Sequence, residues 1–125
     1  MKLPDDYFYT RDDTWLRRDG DTLTIGLTEY GQNELGELVF VELPESGAAV
    51  RAGTPFGVVE SVKAVAELVS PLAGKVVASN EEVAQEPALV NESPYERGWL
   101  VRVEMEGENL PPELMTAAQY ASFRP

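Results

Sequence analysis

Lys63 is the side chain whose type and setting offer the most distinctive chemistry in this sequence. It stands between Val62 and Ala64-Val65, with Glu60 and Ser61 before it and Glu67 after it. The chain has no Cys and no His, which removes the side chains most used for nucleophilic attack, general-base work near neutral pH and transition-metal ligation. A self-contained enzyme is disfavoured, and two roles remain for the amine. It is either a solvated lysine whose stem lies over valines, as most lysines are, or a covalent attachment point. In the second role the amine forms an amide with a carboxylic acid cofactor and gives up its charge. That role requires protrusion, because an amine on an exposed turn can enter another protein's active site and one buried in a sheet cannot.

The element that must position Lys63 is the segment from Phe56 to Val69, and local rules leave it open. Val58, Val59, Val62, Val65, Ala66 and Val69 fall at helical spacing, and Glu, Lys and Ala are good helix formers. Against a helix stand five valines, the fencing residues Pro55 and Pro71, and strands on either side. Two strands meeting near Val62-Lys63 fit equally well, since a type I turn accepts most residue types.

Around this segment the pattern is rich in strands. Trp15 to Arg18 and Thr22 to Leu27 read as a hairpin over Asp19-Gly20, a dipeptide tolerant of positive φ. Thr28 and Gly36 bracket a short helix over Glu29 to Leu35, one as cap and the other as αL terminator. Leu38 to Leu43, ending at Pro44, predicts a strand buried on both faces for part of its length. Lys75 to Ala78 and Leu100 to Val103 add further strands. Pro111-Pro112 followed by Glu113 to Phe123 predicts a closing helix.

Composition bounds the partners. At 125 residues and 13.8 kDa, the chain suits one domain over residues 1–125, because separate domains usually need roughly 100 residues each. Ten Lys and Arg against 22 Asp and Glu give a formal charge of -12, which repels phosphate backbones and argues against nucleic acid. No stretch is apolar for long enough to span a bilayer, and Met1 to Thr10 carries neither a signal-peptide nor a transit-peptide pattern. No membrane partner is expected, and the cytoplasm is the default compartment. The surplus of acid has two readings, solubility and electrostatic steering toward basic partners.

Several ordered blocks carry a resemblance that covers most of the chain. They are Tyr9-Thr10, Trp15, Ile25-Gly26-Leu27-Thr28, the run from Leu35 to Glu45, Val59-Glu60-Ser61-Val62-Lys63-Ala64 and Ser70-Pro71-Leu72-Ala73-Gly74. Asn80, Pro87-Ala88-Leu89-Val90-Asn91, Ser93-Pro94-Tyr95 and Gly98-Trp99 complete the set. In these blocks the sequence resembles the H-protein family of the glycine cleavage system, which are lipoyl carriers. The resemblance implies a mainly β fold, a flattened barrel-sandwich hybrid of antiparallel sheets with short helices and a C-terminal helix, and it favours the two-strand reading of residues 56–69. It places lipoate on Lys63 and matches Glu60 and Gly74 to positions read by lipoate-attaching enzymes. Biotin carriers share the architecture but typically set their lysine between methionines, where Val62 and Ala64 stand here.

The same resemblance implies a cycle in which the carrier catalyses no step. A pyridoxal-phosphate glycine decarboxylase releases CO2 and leaves an aminomethyl group on the oxidised arm. A tetrahydrofolate-dependent aminomethyltransferase takes the one-carbon unit, and a flavin-dependent dihydrolipoamide dehydrogenase restores the disulfide. Positions corresponding to Asp12, Thr14, Glu34 and Glu67 would line a cleft for the loaded arm. Thr14 stands where the family usually has a carboxylate, and Glu34 where an imidazole is often found. Asp12, Glu34 and Glu67 would hold the protonated amine, or are solvated acids contributing little. Those departures leave room for a different role, as a lipoyl or octanoyl donor in lipoate assembly, and an unmodified structural paralogue is the third reading.

Overall fold

Asp19 pairs with Thr22 and leaves Gly20-Asp21 as a two-residue turn, with Gly20 at φ +65°. Glycine first in such a turn supplies the backbone twist that a tight hairpin needs. In the computed structural model, which describes residues 1–125, this hairpin belongs to the larger of two antiparallel sheets. The elements are β1 (Phe8–Tyr9), β2 (Thr14–Asp19), β3 (Thr22–Leu27), α1 (Glu29–Leu35), β4 (Leu38–Glu42), β5 (Ala49–Val50), β6 (Pro55–Ser61), β7 (Val65–Val69), β8 (Gly74–Ser79), α2 (Glu81–Gln85), α3 (Ala88–Glu92), β9 (Val101–Met105) and α4 (Ala117–Phe123). The six-stranded sheet runs β1-β2-β3-β9-β8-β5 and the three-stranded one β4-β6-β7. Both sheets are open, so the molecule is a flattened sandwich and not a closed barrel.

Inward-facing residues alternate with outward ones along the strands, as in β9, where Val101, Val103 and Met105 are buried and Glu104 is exposed. They join Leu16, Leu23, Ile25, Val50, Leu72 and Val76 in one apolar cluster. A second unites Val41 and Val59 with Leu27, Leu68, Leu100 and residues of α2 and α3. Leu43 and Phe56 pack against both and so couple the two sheets. Full burial of residues such as Leu16 or Ile25 contributes roughly 1.5–3 kcal/mol each. A third, aromatic cluster holds Tyr9, Trp15, Tyr95, Met115 and Tyr120. Trp15 leans over Gly26, where any Cβ would meet its indole at 2.6 Å.

The open reading of residues 56–69 resolves to two strands, and two expectations need correction. Residues 56–69 form no helix: β6 pairs with β7 from Pro55↔Val69 to Glu60↔Val65, so the valines divide between an inner and an outer face. β4 is not buried on both faces, because Val39 and Phe40 are 53% and 46% exposed beside an irregularity in its pairing with β6. The closing helix starts at Ala117 and not at Glu113. Met115 and Tyr9 exchange backbone hydrogen bonds of 2.9 and 2.8 Å, which holds the preceding residues extended, and Thr116 with Gln119 then forms a reciprocal capping box. The five-residue helices α2 and α3 are too short to show a period in the sequence. No helix is long and apolar enough to cross a membrane.

Candidate functional site

Lys63 sits at the tip of the β6–β7 hairpin and is exposed, as is Val62 at 72%. Ser61 shapes this tip. Its amide donates to the Ala64 carbonyl at 2.8 Å, while its Oγ accepts from the amides of Lys63 and Ala64 at 3.2 and 3.0 Å. A hydroxyl that bonds the backbone two and three residues on does the work usually given to Asn or Gly in a turn. The Val62 amide donates to the Glu37 carbonyl at 3.2 Å and ties the tip to the segment between α1 and β4. Lys63 takes part in neither ion pair of the molecule, which join Arg97 to Glu82 and Arg124 to Asp13.

Beneath the lysine lies a fixed backbone platform. Thr28 caps α1 by accepting from the Gly31 amide at 3.0 Å. Gly36 ends the helix at φ +85° and ψ -161°, a conformation essentially confined to glycine. Its carbonyl accepts from Asn91 Nδ2 at 2.9 Å, and Asn91 Oδ1 accepts from the Leu38 amide at 2.9 Å. One amide side chain from α3 thus braces both residues that flank Glu37. Nothing in the sequence alone marked Asn91 for this task.

Next to the platform opens a cleft of about 190 Å³. Asp12 and Asp13 form one wall, Gly31, Glu34 and Leu35 of α1 another, and Ala66, Glu67 and Leu68 of β7 the third, over Leu27 and Val59. Three of the acids picked from the sequence therefore share one cavity. Thr14 does not join them: it is 2% exposed, and its hydroxyl pairs with that of Thr10 at 2.7 Å. Asp13, which the sequence reading left out of the cleft, lines it at φ +63°. Its carboxylate accepts from Tyr120 Oη at 2.7 Å and from Arg124 Nε and Nη2 at 2.9 Å each. The Glu34 carboxylate beside Tyr30 raises that phenol's pKa. A somewhat larger, more polar hollow of about 240 Å³, bordered by Lys2, Glu29 and Tyr95, contains none of the predicted residues.

Glu60 and Gly74 lie on different sheets. Glu60 is half-buried on β6, between Phe40 of β4 and Val65 of β7 in register, so the three share one face. Gly74 is on β8, where a Cβ would overlap the Glu104 carbonyl oxygen and stand 2.6 Å from Val103 Cγ1.

An exposed amine on a braced hairpin beside an acid-rimmed apolar cleft is the arrangement of an arm carrier, and comparison with known proteins names the kind. The family model described as Glycine cleavage H-protein matches residues 7–124. The chain belongs to the glycine cleavage H-protein family. It is 50% identical over 123 residues to the glycine cleavage system H protein of Bacillus cereus (strain AH820), spanning 98% of this chain and 97% of that protein. Identity to the H protein of Staphylococcus saprophyticus is also 50%, over 98% of both chains. A crystal structure of a glycine cleavage system H protein from Mycobacterium marinum superposes with a TM-score of 0.89 at 36% identity, covering 98% of each chain. This H-protein family member is a lipoyl carrier of the glycine cleavage system, and its family is one of carriers, not of catalysts in themselves.

The residues present fit the group that the family carries. Leu27, Leu35, Val59 and Leu68 offer an apolar lining suited to a dithiolane ring, and the acids at the rim suit a cation. The hairpin tip lies near this cleft, since Gly36, where an added Cβ would stand 3.3 Å from Lys63 Cε, follows directly on the lining residue Leu35.

Proposed function

We propose that Lys63 is the lipoyl attachment residue and that residues 1–125 act as one carrier domain. The observation that carries this reading is the solvent-facing lysine on a turn whose amides and hydroxyl are all engaged internally. Only the side chain is free to travel, while its root stays fixed. When attached, lipoate supplies the redox sulfur that a chain without Cys lacks.

This chain's own residues position, shelter and present. Ser61 and Glu37 hold the tip, and Gly36 leaves room for the lysine stem. Asp12, Glu34 and Glu67 attract a protonated amine brought into the cleft, while Leu27, Val59 and Leu68 give it an apolar lining. Glu60 and Gly74 are read by the lipoate-attaching enzyme. The loaded arm then serves in turn the pyridoxal-phosphate glycine decarboxylase, the tetrahydrofolate-dependent aminomethyltransferase and dihydrolipoamide dehydrogenase, with the cytoplasm as compartment.

Reconstitution with the decarboxylase tests the assignment. The loaded wild-type chain supports glycine-dependent CO2 exchange, and Lys63→Arg treated identically supports none. A chain that is modified at Lys63 yet inactive in exchange would transfer the role to acyl donation in lipoate assembly. For the cleft, Glu34→Ala speeds release of formaldehyde and ammonia from the loaded arm; rates equal to wild type would reject the acid-held amine.

A further inference from the structure

The most elaborate polar network in the molecule joins its last helix to the walls of the cleft. Arg124, at the end of α4, grips both oxygens of Asp13. The Tyr120 hydroxyl donates to Asp13 Oδ1 and lies 2.8 Å from Thr28 Oγ1. With the tyrosine proton given to Asp13, Thr28 donates to the phenol oxygen and still accepts from the Gly31 amide, so each hydroxyl has a consistent role. Asp13 returns the tie through its own backbone, accepting from the Thr28 amide at 3.0 Å. The Arg124 guanidinium also lies 4.6 Å over the ring of Tyr30, which stands beside Glu34, and 4.5 Å over that of Phe123. One arginine therefore touches both the Asp12–Asp13 wall and the α1 wall.

Two features show that the grip does more than fasten a helix end. Asp13 is the only residue other than glycine at positive φ, a region that Asp tolerates better than most side chains and in which its carboxylate and carbonyl are both held by partners. Its Cβ and carbonyl also close on Gly31, where any Cβ would stand 3.0 Å from each. Loop and helix are thus in contact at the cleft, and the separation of Asp12 from Glu34 follows from how Asp13 is held. Pairing with Arg124 additionally neutralises Asp13, which leaves the cation-attracting task to Asp12, Glu34 and Glu67.

We infer that Arg124 is a positioning residue for the arm cleft, clamping its Asp12–Asp13 wall against α1 from the C-terminal helix. This rests on the reading that the cleft receives the loaded arm, so the test is divided into two measurements. In the unmodified chain, residue-resolved amide hydrogen exchange is compared for wild type, Arg124→Ala and Arg124→Lys. Arg124→Ala speeds exchange at Thr28 and Gly31 by about tenfold, as expected when a local clamp opens, and leaves Val101 and Val103 unchanged. Arg124→Lys keeps the charge but not the two-pronged grip and falls between. Unchanged exchange at Thr28, or an equal rise at every amide, would overturn the clamp. In the lipoyl-loaded chain, the rate of formaldehyde release rises in the same order, from wild type to Arg124→Lys to Arg124→Ala. A clamp visible in exchange but release rates identical across the three would overturn the link to the arm and leave the cleft assignment, not the clamp, at fault.

Discussion

A methyl group placed on Gly36 would stand 3.3 Å from Cε of Lys63 and 4.0 Å from its Nζ. The stem of Lys63 therefore passes close to the bare backbone at the end of α1, within the same short stretch that the hydrogen bond to the Glu37 carbonyl and Asn91 hold in place.

Gly36→Ala tests the contact from the scaffold side. The backbone conformation at this position favours glycine so strongly that the substitution costs roughly 1–3 kcal/mol, read as a lower urea midpoint. Among molecules that remain folded, lipoate loading at Lys63 also slows. A variant with wild-type stability and loading would show that neither the conformation nor the contact matters.

Gly74 has a packing role of its own, since any side chain there runs into the Glu104 carbonyl and Val103 on β9. Gly74→Ala should destabilise by roughly 1–3 kcal/mol through overpacking, measured by chemical denaturation. Loading is then followed at equal concentrations of folded protein. A deficit that persists identifies Gly74 as a position the attaching enzyme reads, and a deficit that vanishes reduces it to packing.

Alkaline pH weakens the aromatic cluster. Burial raises the phenol pKa of both Tyr9 and Tyr120, and in Tyr120 the bond to Asp13 adds to it. A raised folded-state pKa means that the neutral phenol is favoured by folding. The stabilisation is complete below the ordinary tyrosine value of about 10 and is lost as pH rises above it. Thermal midpoints should hold steady up to about pH 9 and fall beyond about pH 10, with Tyr120→Phe falling less steeply. A midpoint indifferent to pH across that range would contradict the burial argument.

The acid surplus has a local expression near the arm. Phe40, Glu60 and Val65 stand in one cross-strand row and Glu42, Val58 and Glu67 in the next, on the same face of the three-stranded sheet. Carboxylates flanking exposed apolar side chains suit a partner surface of basic residues around an apolar centre. Decarboxylase turnover at subsaturating carrier should therefore fall as salt shortens the screening length from about 10 Å at 0.1 M toward about 3 Å at 1 M. A flat response would assign the charge of -12 to solubility alone.

Much of this was legible in the residues. Thr28 and Gly36 mark the ends of α1 because one side chain can accept an amide and the other lacks the Cβ that its backbone forbids. The hairpin of β2 and β3 was equally plain, although its turn residues are Gly20-Asp21 and not Asp19-Gly20, because Asp19 still pairs with Thr22. Residues 56–69 were not, because strands with a register shift can place valines at helical spacing by accident. Only the pairing of β6 with β4 and β7 sorts them, with Val59 in the core and Val62 and Val65 facing water. The serine at the first position of the turn was an available signal, as was the Thr116–Gln119 capping box that moves the last helix away from Pro111-Pro112. What no local pattern could reveal is long-range: Thr14 turned toward Thr10, Asn91 beneath Gly36, and Arg124 reaching back 111 residues to Asp13.

The most direct test of the carrier assignment is peptide mass spectrometry on the chain recovered from cells supplied with lipoic acid. There are three lysines to distinguish, Lys2, Lys63 and Lys75. A lipoyl group is expected on the peptide containing Lys63 and on neither of the other two. An unmodified Lys63, or a lipoyl group found on Lys2 or Lys75, would contradict it.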